Sequence, residues 1–231
     1  LKYSKNNLEN IKNYSDIVDH NFITTDPNIL KKQNINIKNF HFVFIPVDKN
    51  IECFDVSQKK PIKDIFYAMS HGVNRAILKK GKSDSRIHFL NNLVKKLDGI
   101  DYDFYGFQNK EPIWGNDFYK ALINSKMGLN LSRGLPTKYY SSNRIASLMG
   151  NGLLTFVDKK TYLHHMFHKN EMIIYDNIND LSDKINFYKK NDKLRAKIAS
   201  NGRKKYFNLF NELKITNYII GKSLGNNTIL Y

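Results

Sequence analysis

The chain has 231 residues, of which 41% are hydrophobic and 25% are charged, which excludes a disordered chain, a collagen-like fibre and a small disulfide-linked scaffold. Its only cysteine is Cys53, so no internal disulfide can form, as is typical of a reducing compartment. The net charge of +16 favours nucleic acid or an anionic membrane as partner. However, lysine supplies most of the positive charge and is spread along the chain. An AT-rich genome, which favours lysine codons, would produce the same composition.

The first part of the sequence predicts a short α/β unit followed by a connector. Within residues 1–45, hydrophobic spacing predicts a helix over 4–19 and short strands over 22–25 and 40–45. Residues 46–62 lack periodicity and have a proline near each end, which indicates a connector between two units.

Residues 61–210 alternate more regularly between strands and helices. Apolar strands are predicted at 64–70, 102–105, 127–131, 153–157 and 171–175, with helices after a cap at Ser83 and at 118–124, 142–150, 178–189 and 192–210. Strands that are apolar throughout and alternate with helices are typical of a parallel sheet buried on both faces. We therefore expect an α/β fold with a doubly wound, Rossmann-like parallel sheet over 61–210. Residues 1–45 would be an incomplete second α/β domain, and 211–231 a C-terminal helix or tail.

The loop after the first strand of the sheet has the composition of a phosphate site. Ligands of such sheets bind at the carboxyl ends of the strands, so the loops after 70, 106, 131 and 157 are the candidates. Gly72 allows close backbone approach, and Arg75 and Lys80 can pair with a diphosphate near the next helix start. A solvated basic loop is the alternative, since neither a Rossmann glycine fingerprint nor a P-loop is present.

A second polar segment lies between the strand 127–131 and the following helix. The residues of these carboxyl-end loops that we expect to bind a ligand, besides those of the first loop, are Gly106, Asn130, Ser132, Arg133, Tyr140, Ser141, Ser142, Asn143 and Arg144. Ser141 or Ser142 can simply cap the helix, but two arginines beside a helix start also form an anion-binding pole.

Other features of the sequence do not predict chemistry. His164, His165 and His168 are spaced suitably for a metal, but they lack neighbouring cysteines or carboxylates, so packing or surface histidines are expected. Trp114 is expected to anchor its loop as an apolar side chain. No nucleophile–base pair, metal site or cofactor is predicted.

Several segments resemble those of a known family. They are Phe44-Ile-Pro-Val-Asp48, the strand and loop from Phe66 to Gly81, the helix–glycine–strand stretch from Asn143 to Phe156, the segment Asn170 to Tyr175, and Ile198-Ala-Ser-Asn-Gly202. Together, over about 40–210, they resemble the C-terminal donor-binding domain of GT-B glycosyltransferases of the group 1 type, and most of all a bacterial branch acting on cell-surface polysaccharide or lipopolysaccharide. The resemblance implies a nucleotide-sugar donor whose phosphates are bound by Arg75 and Lys80, and a glycan or lipid-linked acceptor.

The chain departs from the pattern of that family at one helix. The family commonly has a glutamate that binds the donor ribose where this chain has Ser147, and its upstream glutamate is replaced by the stretch from Tyr139 to Ser142. We therefore expect Ser142, Asn143 and Ser147 to contact the donor. Arg144 would add charge, and its loss is expected to leave the melting temperature of the free protein nearly unchanged.

The resemblance also implies where the protein acts and what the chain lacks. The catalytic base is expected upstream of Leu1, and stereochemistry is not predicted. A cytoplasmic enzyme at the inner face of an anionic membrane is the expected setting. The alternatives are a non-catalytic nucleotide-sugar-binding module and a basic nucleic-acid-binding protein, although no nucleic-acid-binding signature is present.

Overall fold

The structure is a computed structural model that describes residues 5–15, 17–70, 77–78, 82–132 and 134–230. The strands are β1 (Asn21–Ile23), β2 (Phe40–Phe42), β3 (Lys63–Ala68), β4 (Ile77–Leu78), β5 (Lys82–Ser83), β6 (Tyr102–Tyr105), β7 (Ser125–Asn130), β8 (Leu154–Asp158) and β9 (Ile173–Tyr175). The α-helices are α1 (Lys5–Ser15), α2 (Asn28–Lys31), α3 (Ser85–Val94), α4 (Gly115–Ile123), α5 (Asn143–Gly150), α6 (Ile178–Lys190), α7 (Asp192–Phe210) and α8 (Glu212–Ser223).

Five of these strands form one parallel sheet in the order β6-β3-β7-β8-β9. Its register pairs Ile65 with Tyr102 on one side and with Met127 on the other. The chain moves outward from β3 to β6 and then returns past β3 to β7, so the order reverses between β3 and β7. The predicted doubly wound parallel sheet is therefore confirmed.

Helices cover both faces of this sheet, and strand periodicity assigns each side chain to a face. Tyr67 packs with α3 and α6 in one core cluster, whereas its neighbour Phe66 packs with α4 and α5 in another. Both residues are fully buried. Because alternate positions enter two different cores, the strands had to be apolar at nearly every position.

The close approach of α7 to the turn before β9 explains the glycine at position 202. Gly202 lies in α7, and a Cβ atom at this position would overlap the carbonyl oxygen of Glu171. A side chain at position 202 would therefore push α7 away from the turn that precedes β9, and glycine avoids this overlap.

Residues before the connector form a second, smaller element of structure. Strands β1 and β2 pair in parallel, with Phe22 opposite His41. The chain after β1 then meets the segment before α5, where Ser141 N–H donates to the Thr24 carbonyl and Asp26 N–H donates to that of Lys138, both at 3.0 Å. That residues 1–45 are part of an incomplete domain stays a prediction.

The connector and the junction between α7 and α8 are hydrogen-bonded to each other. Val47 N–H donates to the Phe210 carbonyl, and Glu212 N–H donates to the Val47 carbonyl, both at 3.0 Å. The connector, which leads from the small unit of residues 1–45 to the main sheet, therefore lies beside the junction between α7 and α8. Within the described ranges, no helix is long and apolar enough to cross a membrane.

Candidate functional site

The reversal of strand order places a crevice at the carboxyl ends of β3 and β7. Helix α3 packs on one face of the sheet and α5 on the other, so their N-terminal ends flank the space above these strand ends. Doubly wound sheets bind their ligands at this position.

Arg144 in the first turn of α5 joins the two strand ends. Its Nε donates to the Ala68 carbonyl at 3.2 Å, and its Nη1 donates to the Leu131 carbonyl at 3.0 Å. Its guanidinium lies 5.0 Å from the ring centre of Tyr67. The residue thus brings a positive charge into the crevice and also holds the crevice together. The expectation that its loss would leave the stability of the free protein unchanged does not agree with these contacts, because two charge-assisted hydrogen bonds would be lost.

The start of α5 has a serine whose hydroxyl is not used for capping. Ser142 occupies the N-cap position, but its side chain accepts no capping hydrogen bond, and its buried Oγ has no partner in the described part of the chain. The N–H groups of a first helical turn have no intrahelical acceptors. The predicted cap position is therefore correct, but the predicted capping bond is not formed, so the Ser142 side chain leaves the positive end of the helix dipole without a capping acceptor.

Two serines predicted as ligand contacts are committed to other parts of the fold. Ser141 is 1% exposed and its Oγ accepts from the Ile45 N–H at 3.1 Å, so it ties α5 to the end of the small unit. Ser147 is buried, and its side chain faces the hydroxyl of Tyr119 on α4, where burial raises the pKa of Tyr119 and Ser147 lowers it by a smaller amount. The structure assigns both hydroxyls to packing between elements rather than to the open crevice, which corrects the expectation for these two side chains.

The other predicted residues fall into two groups. Gly106, with φ of +74°, forms the turn after β6, Asn130 is the buried last residue of β7, Ser132 and Tyr140 are half-buried, and Asn143 is exposed at the start of α5. Gly72, Arg75, Lys80 and Arg133 lie outside the described residues.

Sequence reasoning missed a buried ion pair at the start of α3. The helix is capped by Asp84 rather than by the predicted Ser83, because its carboxylate accepts the Arg86 N–H at 3.0 Å. The guanidinium of Arg86 also pairs with Asp84 at 2.6 Å, and its Nη1 lies 3.5 Å from the Tyr67 hydroxyl. Burial lowers the pKa of Arg86, but the hydrogen bond and charge of Asp84 outweigh this effect, so its pKa is raised and the pair stays ionised.

A second missed residue lies below the crevice, in the connector. Glu52 is buried, and its Oε2 accepts the Asp48 N–H at 2.9 Å. Burial raises the pKa of this carboxyl, and the charge of Asp48 adds to the effect. Glu52 packs on Gly150 at the C-terminal end of α5, the end away from the crevice, so we assign it to the packing of the connector.

The structure also shows where Trp114 and the histidines of residues 164–168 lie. Trp114 is 64% exposed at the N-cap of α4, so the expectation of a packed apolar anchor is wrong. His165 Nδ1 lies 3.0 Å from the Tyr139 hydroxyl. Across the described ranges, no group of three or more His, Cys, Asp or Glu side chains is arranged to hold a metal ion.

Comparisons with known proteins agree with this geometry. A family model described as glycosyl transferase-like matches residues 85–211, more than half of the chain. No curated protein sequence matches significantly. Among solved structures, S. aureus TarM in complex with fondaparinux, α-GlcNAc-glycerol and UDP is similar with a TM-score of 0.68 at 16% identity, covering 97% of this chain and 47% of TarM.

Two further solved structures have the same arrangement. Anabaena HepE in complex with UDP and glucose has a TM-score of 0.70 at 11% identity, covering 96% of this chain and 68% of HepE. The pneumococcal O-GlcNAc transferase GtfA in complex with UDP and GlcNAc has a TM-score of 0.59 at 16% identity, covering 96% of this chain and 48% of GtfA. The chain thus spans about half the length of TarM and GtfA. Likeness at these identities shows the fold alone.

Proposed function

The chain belongs to the glycosyl transferase-like family, its parallel sheet has the GT-B type of fold, and we propose that it binds the nucleoside diphosphate of a sugar donor in the crevice between β3 and β7. The reaction would be transfer of the donor's sugar to a glycan or lipid-linked acceptor. We propose that this chain supplies the donor-binding part of that reaction.

The observation that carries this proposal is the open start of α5. The Ser142 hydroxyl, which has no partner among the described residues, the N-terminal end of α5 and the Arg144 guanidinium lie at the point where the strand order reverses. A helix start and a guanidinium together favour a ligand with clustered negative charge, and a diphosphate has that property.

The same groups suit the chemistry of glycosyl transfer. When the bond between sugar and diphosphate breaks, negative charge grows on the leaving phosphate. A helix start and a cation already fixed at that place stabilise the charge without having to reorganise. We propose that Arg144, with Arg75 and Lys80 of the basic sequence that follows β3, supplies this stabilisation and that no metal ion is required.

The segment opposite the crevice suits contact with the acceptor. Residues 24–26 lie against 138–141, and Lys138 pairs with Asp26 at 2.8 Å, so the small unit meets the loop that precedes α5. HepE has been solved with UDP and glucose, and TarM with UDP and α-GlcNAc-glycerol, which supports a saccharide ligand in addition to the nucleotide. We further propose a cytoplasmic location, with the lysine-rich surface near an anionic membrane.

A thermal-shift screen tests the proposal. UDP, GDP, ADP and CDP are compared with the matching nucleosides, and a ligand at 100 times its Kd should stabilise the protein by about 2.7 kcal/mol. We expect one diphosphate to raise the melting temperature and its nucleoside to have little effect. If none of the four raises it, the proposed function is wrong.

The alternative of nucleic-acid binding has a different signature. Binding of single-stranded or duplex DNA would fall steeply as salt rises from 50 to about 200 mM. A diphosphate bound by one helix start, Arg144, Arg75 and Lys80 should lose less affinity over the same range, because fewer charges are neutralised than along a nucleic-acid backbone.

A further inference from the structure

Tyr67 lies beneath the crevice and contacts two arginines. It is fully buried in β3 and packs in the core cluster on the face of the sheet covered by α3 and α6. The guanidinium of Arg144 lies 5.0 Å from its ring centre, and Nη1 of Arg86 lies 3.5 Å from its hydroxyl. A fully buried side chain cannot touch a ligand in the crevice, so any effect of Tyr67 on binding must pass through one of these neighbours.

Three contacts determine how the Arg144 guanidinium is held. Its Nε and Nη1 donate to the carbonyls of Ala68 and Leu131, so two hydrogen bonds in the plane of the group fix its position. The guanidinium also lies over the Tyr67 ring, which resists its rotation about the line that joins the two carbonyls. Within the described ranges Nη2 makes no hydrogen bond, so the direction in which it can donate to a ligand depends on the ring.

Tyr67 is in turn held by a buried ion pair. Nε and Nη2 of Arg86 bind the Asp84 carboxylate in a fork, at 3.0 and 2.6 Å, and both side chains are at most 5% exposed. This fork leaves Nη1 to contact the Tyr67 hydroxyl. The contact of 3.5 Å is long for a hydrogen bond, whereas the ring also packs edge-to-face on Phe104 at 6.1 Å. We therefore expect the ring of Tyr67 to matter more for Arg144 than its hydroxyl does.

We propose that Tyr67 is a positioning residue for Arg144: its ring sets the plane of the guanidinium and thereby the direction in which Nη2 donates, and the Arg86–Asp84 pair holds the ring in place. This inference rests on the proposed function, because the group that Arg144 is positioned to bind is the diphosphate of the donor. A cation fixed in this way stabilises charge on the leaving phosphate without first having to reorganise.

Two substitutions of Tyr67 separate the ring from the hydroxyl. Tyr67→Leu removes the ring on which Arg144 lies, and Tyr67→Phe removes only the hydroxyl. Tyr206 is the matched control, because it is also fully buried and its hydroxyl donates to the Ile45 carbonyl at 2.7 Å, but it belongs to a different core cluster. Tyr206→Leu and Tyr206→Phe therefore remove the same groups away from the crevice. Urea denaturation shows whether each variant is folded.

The first measurement needs no ligand. The ¹H–¹⁵N signal of the Arg144 Nε–H group, assigned by its absence from Arg144→Ala, reports on the surroundings of the guanidinium. Because the proton is hydrogen-bonded and lies near an aromatic ring, we expect one sharp signal in the wild type. Tyr67→Leu should shift or broaden this signal, Tyr67→Phe should change it less, and both Tyr206 variants should leave it where it is.

The second measurement is calorimetric titration with UDP, GDP, ADP and CDP. Tyr67→Leu should weaken the diphosphate that binds the wild type best by about tenfold, and Tyr206→Leu should not. Combining Tyr67→Leu with Arg144→Ala completes a double-mutant cycle. If Tyr67 acts through Arg144, it should cause no further weakening once Arg144 is absent.

A second pair of variants keeps the test valid if Tyr67→Leu does not fold. Arg86→Lys retains the positive charge but cannot form the fork with Asp84, so it releases the Tyr67 hydroxyl. Arg195→Lys is its matched control, because Arg195 is 1% exposed and pairs with Asp192 at 2.7 Å on α7. Arg86→Lys should shift the Arg144 signal and weaken the diphosphate about threefold, whereas Arg195→Lys should do neither.

Three results would overturn the inference. The Arg144 signal could be the same in the wild type and in folded Tyr67→Leu or Arg86→Lys. Tyr67→Leu could weaken the diphosphate as much without Arg144 as with it, or Tyr206→Leu could weaken it equally, so that the effect would be one of stability. Failure of the proposed function is distinguishable, because no diphosphate would then bind the wild type, while the Arg144 signal of the ligand-free protein would still respond to Tyr67→Leu.

Discussion

Replacing Arg144 with alanine should affect both stability and ligand binding, and the two effects can be separated. The substitution removes two hydrogen bonds from a charged donor, to the carbonyls of Ala68 and Leu131, and the stacking on Tyr67. Hydrogen bonds to charged groups contribute about 1.5–3 kcal/mol each when buried, and Arg144 is only half-buried. We expect the free energy of unfolding to fall by about 2–3 kcal/mol.

Arg203 offers a closely matched control on the far side of α5. Its Nε donates to the Gly150 carbonyl at 2.8 Å, its Nη2 lies 3.4 Å from the Glu52 carbonyl oxygen, and its guanidinium lies 4.8 Å from the Phe207 ring centre. Arg203→Ala should therefore destabilise the protein by a similar amount without changing the crevice.

The assay is urea denaturation of both variants, followed by titration with the diphosphate that best stabilises the wild type. Arg144→Ala should weaken that diphosphate about tenfold or more, because a charge-assisted hydrogen bond is lost, whereas Arg203→Ala should not. Equal weakening in both variants would show that Arg144 acts through stability alone. Unchanged affinity in Arg144→Ala would refute its place in the binding site.

Three further predictions concern stability. The side chain of Asp64 is 3% exposed and pairs with Lys126 and Lys189. Burial raises the pKa of Asp64, but the hydrogen bond from Lys189 and its other partners outweigh burial and lower that pKa. Asp64→Asn should therefore reduce the free energy of unfolding by about 3 kcal/mol above about pH 4 and by progressively less as pH falls through the folded pKa, measured by urea denaturation at several pH values. Burial, followed by the neighbouring charges of His20 and Lys222, lowers the pKa of His41, so the unfolded state takes up its proton at a higher pH than the folded state does. The wild type should therefore lose stability as pH falls below about 6.5, and His41→Gln should remove part of that slope in urea denaturation. Gly202→Ala should lower the free energy of unfolding by about 3 kcal/mol, because the new Cβ would overlap the Glu171 carbonyl oxygen. Lys204→Ala, at an exposed position of the same helix, should leave the free energy of unfolding nearly unchanged in the same thermal or urea unfolding experiments.

The architecture could be predicted from the sequence because it depends on repeated local patterns. The strand at Tyr102–Tyr105 has the predicted bounds, and the ends of β3, β7 and β8 differ from the prediction by one or two residues each. Runs such as Ile65 to Ala68 are apolar throughout because both faces are covered, and this property is visible without any tertiary information. The helix start at Asn143 was likewise signalled by the serines before it.

The roles of individual polar residues could not be predicted, because they depend on contacts between distant segments. Ser141 accepts a hydrogen bond from Ile45, almost one hundred positions earlier, and Ser147 is buried facing Tyr119 on another helix. Nothing local distinguishes these serines from Ser142, whose hydroxyl remains unused. Asp84 was within reach of sequence reasoning, since aspartate caps a helix as well as the neighbouring Ser83.

The central claim is that the start of α5 binds a diphosphate, and backbone amide NMR shifts on titration with UDP, GDP, ADP or CDP measure this most directly. With the diphosphate that binds, we expect the largest changes at the amides of Ser142, Asn143 and Arg144, and smaller changes at the ends of β3 and β7. Changes concentrated instead on the lysines of α6 and α7, with the α5 amides unmoved, would show that the anion binds to surface charge and would contradict the claim.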